Sequence, residues 1–304
     1  MSIRPLALFD LPYLYSFRDQ AIGLDTARTL TRGNPLGAVG LFAYVNPARH
    51  IYSAILNGEE ESVLGGIIHS HDDAFAKLLF IAPASQLDHP DLPELIDDLS
   101  AQAGAWGAFH VLAEVDETSD AFIALRKAGF SVYAWQRMWD VSEIAETGRT
   151  SAWTRVKSVD VPSVQNLYYQ IVPPLLQPVE PQPKNGLSWL CNEGVKCYVS
   201  ATQGVYGVVL SPLIHPEATD VSAKLASLIS NLPDRRNRSV YLCVRSYQAW
   251  LEPVLADLGA RAADRQAVMV KHLARMVKEG QTAATVPTGV SVQPSRVSRA
   301  EGKK

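Results

Sequence analysis

The chain has 304 residues, of which 47% are hydrophobic and 19% charged, enough apolar material to build ordinary cores over most of its length. A formal net charge of −3 gives no reason to expect nucleic acid as a partner. No apolar run approaches the roughly 18 residues that cross a bilayer, so no membrane partner is expected. The start, Met1-Ser2-Ile3-Arg4-Pro5, lacks an apolar stretch with a small-residue cleavage site, which predicts no export and a cytoplasmic location. Cys191, Cys197 and Cys243 show no C-x-x-C spacing and read as buried thiols in a reducing compartment.

In chain order, Asp10-Leu11-Pro12 opens a helix to about Arg18, with Asp as cap and Pro in the first turn. A long segment to Arg49 follows, with room for another helix. Ile51–Leu56, Val63–His69 and Ala76–Ala82 are short apolar runs between turn signals and read as three strands. Leu92–Gly104 places apolar residues at 92, 95, 96 and 99, a helical period. Phe109–Val115 reads as a strand, Ser119–Ala128 as a helix stopped by Gly129, and Ser131–Trp139 as a final strand. The polar stretch 141–153 reads as a linker.

The rest of the chain repeats this order. Asp160–Ile171 is a helix and Val172–Lys184 a Pro-rich stiff loop. Leu187–Cys191, Lys196–Ala201 and Tyr206–Leu210 are strands. Val221–Ser230 is a helix, Ser239–Val244 a strand, Gln248–Leu258 a helix and Ala267–Leu273 a strand. From Lys278 onward the aromatics vanish and Gly, Pro, Ser and Thr accumulate, which predicts a disordered tail. The repeat is also visible residue by residue at a shift of 130: Leu125…Gly129 falls on Leu255…Gly259, and Gln136 on Gln266. The two copies differ in charge. Residues 1–149 carry 10 Lys and Arg against 20 Asp and Glu, and residues 150–304 carry 18 against 11.

Val63-Leu64-Gly65-Gly66-Ile67-Ile68, Leu78-Leu79-Phe80-Ile81-Ala82-Pro83 and Ala121…Gly129-Phe130 resemble the third strand, the fourth strand and the last helix-to-strand element of the GNAT (Gcn5-related N-acetyltransferase) superfamily. The resemblance covers residues 3–140 well and 154–275 more faintly. It implies an α/β (α+β) chain of two tandem GNAT-like domains, 1–140 and 154–277, each a mixed, mostly antiparallel sheet flanked by helices. It further implies transfer of an acetyl group from acetyl-CoA to an amine on a small molecule or protein. In such folds the fourth and fifth strands part, and a pantetheine arm hydrogen-bonds the exposed strand edge. The pyrophosphate rests at the next helix N-terminus.

Carried onto this chain, the cofactor would contact Leu79, Phe80, Ile81 and Ala82 on the strand and Gln86, Leu87, Asp91 and Leu92 in the loop and helix start. The sequence departs from the family in that loop. No glycine follows Gln86, Pro90 and Pro93 have no N–H to give, and Asp88, Asp91 and Glu94 repel phosphate. The matching loop of the second copy, Leu210 to Asp220, also lacks glycine. The family's catalytic tyrosine position holds Leu125 and Leu255. Glu114 is then the candidate base, acting directly or through water, and Tyr133 the candidate acid. Each also reads as an ordinary residue, a strand-end carboxylate and a core aromatic. On a strand His69 and His71 would share a face, but they read as a strand-to-strand turn at the protein's edge, no further ligand is fixed by sequence and no metal is expected. Arg235-Arg236-Asn237-Arg238 reads as a solvated basic turn. Two functions stand: an acyltransferase with divergent loops, or a non-catalytic binding or scaffold protein that has lost the pyrophosphate loop. Oligomeric state is not legible.

Overall fold

The computed structural model describes residues 2–41, 44, 49–57, 62–71, 73–144, 153–183, 186–191, 195–233 and 235–273. Most of the expected linker, and all of the expected tail, lie outside the described residues.

The first half runs β1 (Ser2–Pro5), α1 (Leu11–Ser16), β2 (Ile22–Gly23), α2 (Thr26–Arg32), α3 (Ala38–Leu41), β3 (Arg49–Asn57), β4 (Ser62–Ser70), β5 (Phe75–Ala82), α4 (Leu92–Ala105), β6 (His110–Asp116), α5 (Asp120–Lys127) and β7 (Ser131–Asp140). The second runs β8 (Trp153–Arg155), α6 (Val161–Ile171), β9 (Ser188–Cys191), β10 (Cys197–Gln203), β11 (Gly207–Ile214), α7 (Val221–Ser230), β12 (Ser239–Arg245), α8 (Leu251–Asp257) and β13 (Arg261–His272). Helices cover both faces of the sheet. Leu92, Leu95, Ile96, Leu99 and Ala103 of α4 pack with α5 and β6 in one core, and α7 and α8 build its counterpart on β10 to β12. Smaller clusters lie under α1 and under α6.

Among the described residues the strands form one thirteen-stranded sheet in the order β1-β3-β4-β5-β6-β13-β7-β12-β11-β10-β9-β8, with β2 on β5. The order gives the two-copy pattern a particular form. β13, the last strand of the second half, lies between β6 and β7. β7, the last strand of the first half, pairs with β12. Each half therefore lends its final strand to the seam. Across that seam Gln136 and Gln266 are direct partners. They are also the residues matched by the 130-residue shift, so an antiparallel pair of equivalent strands has a local two-fold axis between them. Gly129 and Gly259, matched by the same shift, both end a helix in the left-handed region, at φ +86° and +82°.

Several expected boundaries move, each for a physical reason. β11 continues past Leu210 to Ile214 although it contains Pro212. The main-chain groups of Pro212 point away from β10, so its missing N–H removes no rung from the β10–β11 ladder. The helix expected from Gln248 starts at Leu251, after a 3₁₀ turn over Ser246–Gln248. β13 starts at Arg261, six residues before the apolar run, because its exposed first half pairs with β7. The two- to four-residue strands β1, β2 and β8 are too short for any periodicity to mark them.

The C-terminal end of α2 docks on the β10–β11 turn: Tyr206 N–H donates to Thr31 O at 3.0 Å. A Cβ at Gly204 would stand 2.0 Å from that same main-chain oxygen. Gly204→Ala is expected to force the two segments apart and to cost about 1–3 kcal/mol in chemical denaturation, the usual cost of overpacking a tight contact.

Candidate functional site

Two parallel strand pairs part midway. β5 and β6 are in register only over Phe75–Lys77 and His110–Leu112. β11 and β12 are in register only over Gly207–Leu210 and Ser239–Leu242. Beyond these points each pair forms a fork whose two strands no longer bond each other.

The first fork is closed by the chain itself. β2 pairs with β5, Ile22 against Ile81 and Gly23 against Phe80. Leu24 then bridges the gap: its N–H donates to Leu79 O at 2.9 Å, and its C=O accepts from Glu114 N–H at 2.9 Å. The edge at Leu79, Phe80, Ile81 and Ala82, which the family resemblance offers to a cofactor, is thus covered in this structure. The adjoining loop is not shaped as a cradle either. Leu87 and Leu92 point into the core, Gln86 sits on a 3₁₀ turn, and Asp91 precedes α4 without capping it. Periodicity cannot reveal a two-residue strand from a distant loop, so nothing in the sequence announced this closure.

The second fork is closed by one side chain. Gln248, 1% exposed, accepts from Ile214 N–H through Oε1 at 2.8 Å and donates from Nε2 to Pro212 O at 2.9 Å. A carboxamide thus completes the edge of β11 much as a passing peptide would.

Both forks border one central cavity of about 480 Å³, lined from both halves. A chain of buried and partly exposed polar groups runs along its wall and out along the seam. Asp25, the N-cap of α2, pairs with Lys77 at 3.0 Å. Glu114 accepts from Thr26 N–H at 2.9 Å and lies 3.9 Å from Arg245. Arg245 pairs with Glu180 at 3.0 Å and donates to Gln136 Oε1. Tyr247 donates to Glu180 at 3.2 Å. On the two-fold axis Gln136 donates to Gln266 at 3.0 Å, and Gln266 donates to Asp116 at 2.9 Å. The Pro-rich loop carries Glu180 into place by packing Val179 on Leu112 and Val270. Tyr168 fixes the loop by donating to Glu180 O at 3.0 Å.

The buried charges are mutually dependent. Burial alone would lower the Lys77 ammonium, but Asp25 and Glu114 outweigh it and hold its pKa above the ordinary value. Burial likewise opposes the Arg245 charge, yet Glu180 and its other neighbours keep it well above the usual range. Burial, reinforced by Glu180, pushes the Tyr133 hydroxyl well up. Burial pushes the Cys243 thiol up to about 12.

Of the two candidate catalytic residues, Glu114 lines the cavity, whereas Tyr133 lies outside its lining, packed on Leu112, Val179 and Val270 with its hydroxyl buried near Arg245 and Glu180. Asp25, Lys77, Glu180, Arg245 and Gln248 are site residues that the sequence reading passed over. Their signal was present in part, since Lys77, Gln136 and Arg245 each interrupt an apolar strand run with a polar side chain. His69 is buried with Nε2 at 2.8 Å from Asp73 O and stacks on Trp106. Among the described residues no group of three or more His, Cys, Asp or Glu is arranged to hold a metal ion. The basic turn folds onto itself, with Arg235 donating to Ser142 O and Arg238 to Arg235 O. Among the described residues no helix is long and apolar enough to cross a membrane.

No protein-family model and no curated protein matches the chain. Solved structures do. A GCN5-related N-acetyltransferase from Sphaerobacter thermophilus aligns over 89% of this chain and 95% of its own, with TM-score 0.52 and 11% identity. A tandem GNAT protein from the clavulanic acid biosynthesis pathway aligns over 89% and 98%, with TM-score 0.51 and 12% identity. The chain has the GNAT fold in its tandem form.

Two outcomes follow from the buried network. Arg245→Ala, which strips Glu180 and Glu114 of their shared cation, is expected to cost about 3–5 kcal/mol in denaturant unfolding. The double variant Arg245→Met/Glu180→Gln is expected to recover part of that loss. Alkylation needs a thiolate, and a thiol at about 12 carries almost none at neutral pH. Native Cys243 is therefore expected to resist iodoacetamide at mildly alkaline pH, by mass spectrometry, and to react once the chain is unfolded.

Proposed function

We propose that the chain is a GNAT-type acyltransferase whose central cavity receives an amine and whose second fork receives an acyl-CoA, acetyl-CoA being the simplest. The observation that carries this reading is the β11 edge. Ile214 N–H and Pro212 C=O form a donor–acceptor pair already complementary to an amide, and that edge borders the same cavity as Glu114. A pantetheine amide would take the two bonds now made by Gln248. The acyl-CoA supplies the activated thioester. Glu114 accepts the proton of the attacking amine, directly or through water, while Thr26 N–H and Arg245 orient its carboxylate; as the amine nitrogen bonds the acyl carbon, the thioester C–S bond breaks and coenzyme A leaves as a thiolate that takes its proton from solvent. Tyr133 stays protonated beside Glu180.

This assignment moves the cofactor from the first half, where the sequence suggested it, to the second. A second reading rests on a specific observation too. With one fork bridged by Ile22–Leu24 and the other filled by a buried glutamine, the chain is a non-catalytic protein that holds a different ligand in the cavity.

Calorimetric titration with acetyl-CoA separates the two. The acyltransferase reading expects wild type to bind. It also expects Gln248→Ala to bind about tenfold more tightly, since one competing amide worth roughly 1.4 kcal/mol has gone. No heat with either protein overturns it and leaves the second reading.

A further inference from the structure

His110 begins β6 and His272 ends β13, and the two are register partners at the closed end of the first fork. Their rings stand perpendicular with centroids 4.9 Å apart, and their Nδ1 atoms are 3.1 Å apart. Two Nδ1–H groups cannot face each other at that distance, so at least one nitrogen presents a lone pair to its neighbour.

The geometry suits a metal. With metal–nitrogen bonds of about 2.0–2.1 Å, nitrogens 3.1 Å apart subtend roughly 100° at a shared ion, between the square-planar and tetrahedral angles. Tetragonal nitrogen sites favour copper(II), which also heads the divalent affinity order. The strand ladder already holds both backbones, so little ordering remains to be done on binding. The other histidine group offers no such convergence. The His50 ring lies 6.1 Å from that of His69 and 6.2 Å from that of His71 by centroid, and His69 Nε2 is engaged with Asp73 O.

We propose that His110 and His272 bind a divalent late transition-metal ion, copper(II) most tightly, with water in the remaining positions, and that the ion clamps β13 to β6. The site is separate from the cavity and stands whether or not the chain is an acyltransferase.

The test is copper(II) titration of the tag-free full chain, followed by electron paramagnetic resonance and by thermal midpoint. The first equivalent is expected to give an axial spectrum with nitrogen ligation and to raise Tm. His272 is exposed, so His272→Ala should fold normally by circular dichroism, yet lose both the nitrogen signature and the rise in Tm. His71→Ala, which removes an exposed histidine from the other group, should keep both. A wild-type Tm unmoved by copper, or a first-equivalent spectrum that survives in His272→Ala, would overturn the proposal.

Discussion

A parallel strand pair that separates midway leaves main-chain donors and acceptors facing a gap. An unmet buried N–H or C=O costs about 1–3 kcal/mol, so such a gap must be filled by solvent, ligand or protein. Here protein fills both. Leu24 threads a peptide through one fork, and Gln248 lends its carboxamide to the other. The two closures differ in kind. The first is main chain, continuous with a strand and a helix. The second is one side chain on a single 3₁₀ turn, with two hydrogen bonds to exchange. The second closure is therefore the easier of the two to reverse.

The same seam explains the buried charges. β7 and β13 meet on the two-fold axis, and Gln136 and Gln266 join there. Arg245 reaches Gln136 from one side, and Asp116 meets Gln266 from the other. Each half pairs its own ions, Asp25 with Lys77 and Glu180 with Arg245, and the seam joins the two sets through Glu114, Gln136 and Gln266. A chain of paired ions in an apolar interior adds little to stability over a hydrophobic equivalent, because desolvation cancels much of the attraction. Its retention around a cavity is more readily understood as equipment for binding than as a structural prop.

Much of the fold was legible in the sequence. The 92, 95, 96, 99 spacing of α4, the glycines that stop α5 and α8, and the short apolar runs of β3 to β5 each encode a local preference strong enough to read without partners. The site was legible only in part. Glu114 was found because it sits at the end of an apolar strand, and it does line the cavity. The fork closures were not found, because Ile22–Leu24 carries no strand period of its own and Gln248 resembles any polar helix start. Glu180 was hidden inside a Pro-rich loop whose fold is set by Tyr168 and by the packing of Val179 on Leu112 and Val270, contacts that no local pattern marks. What long-range geometry decides, local spacing could not disclose.

The exchanged last strands carry a consequence for how the chain is made. β6 is complete once residue 116 has been synthesised, but its neighbour in the finished sheet extends to residue 272. Throughout that interval a nascent polypeptide displays an apolar, unprotected ribbon of the sort that recruits other extended segments. The sheet therefore cannot close at β6 until the last strand of the chain has been made.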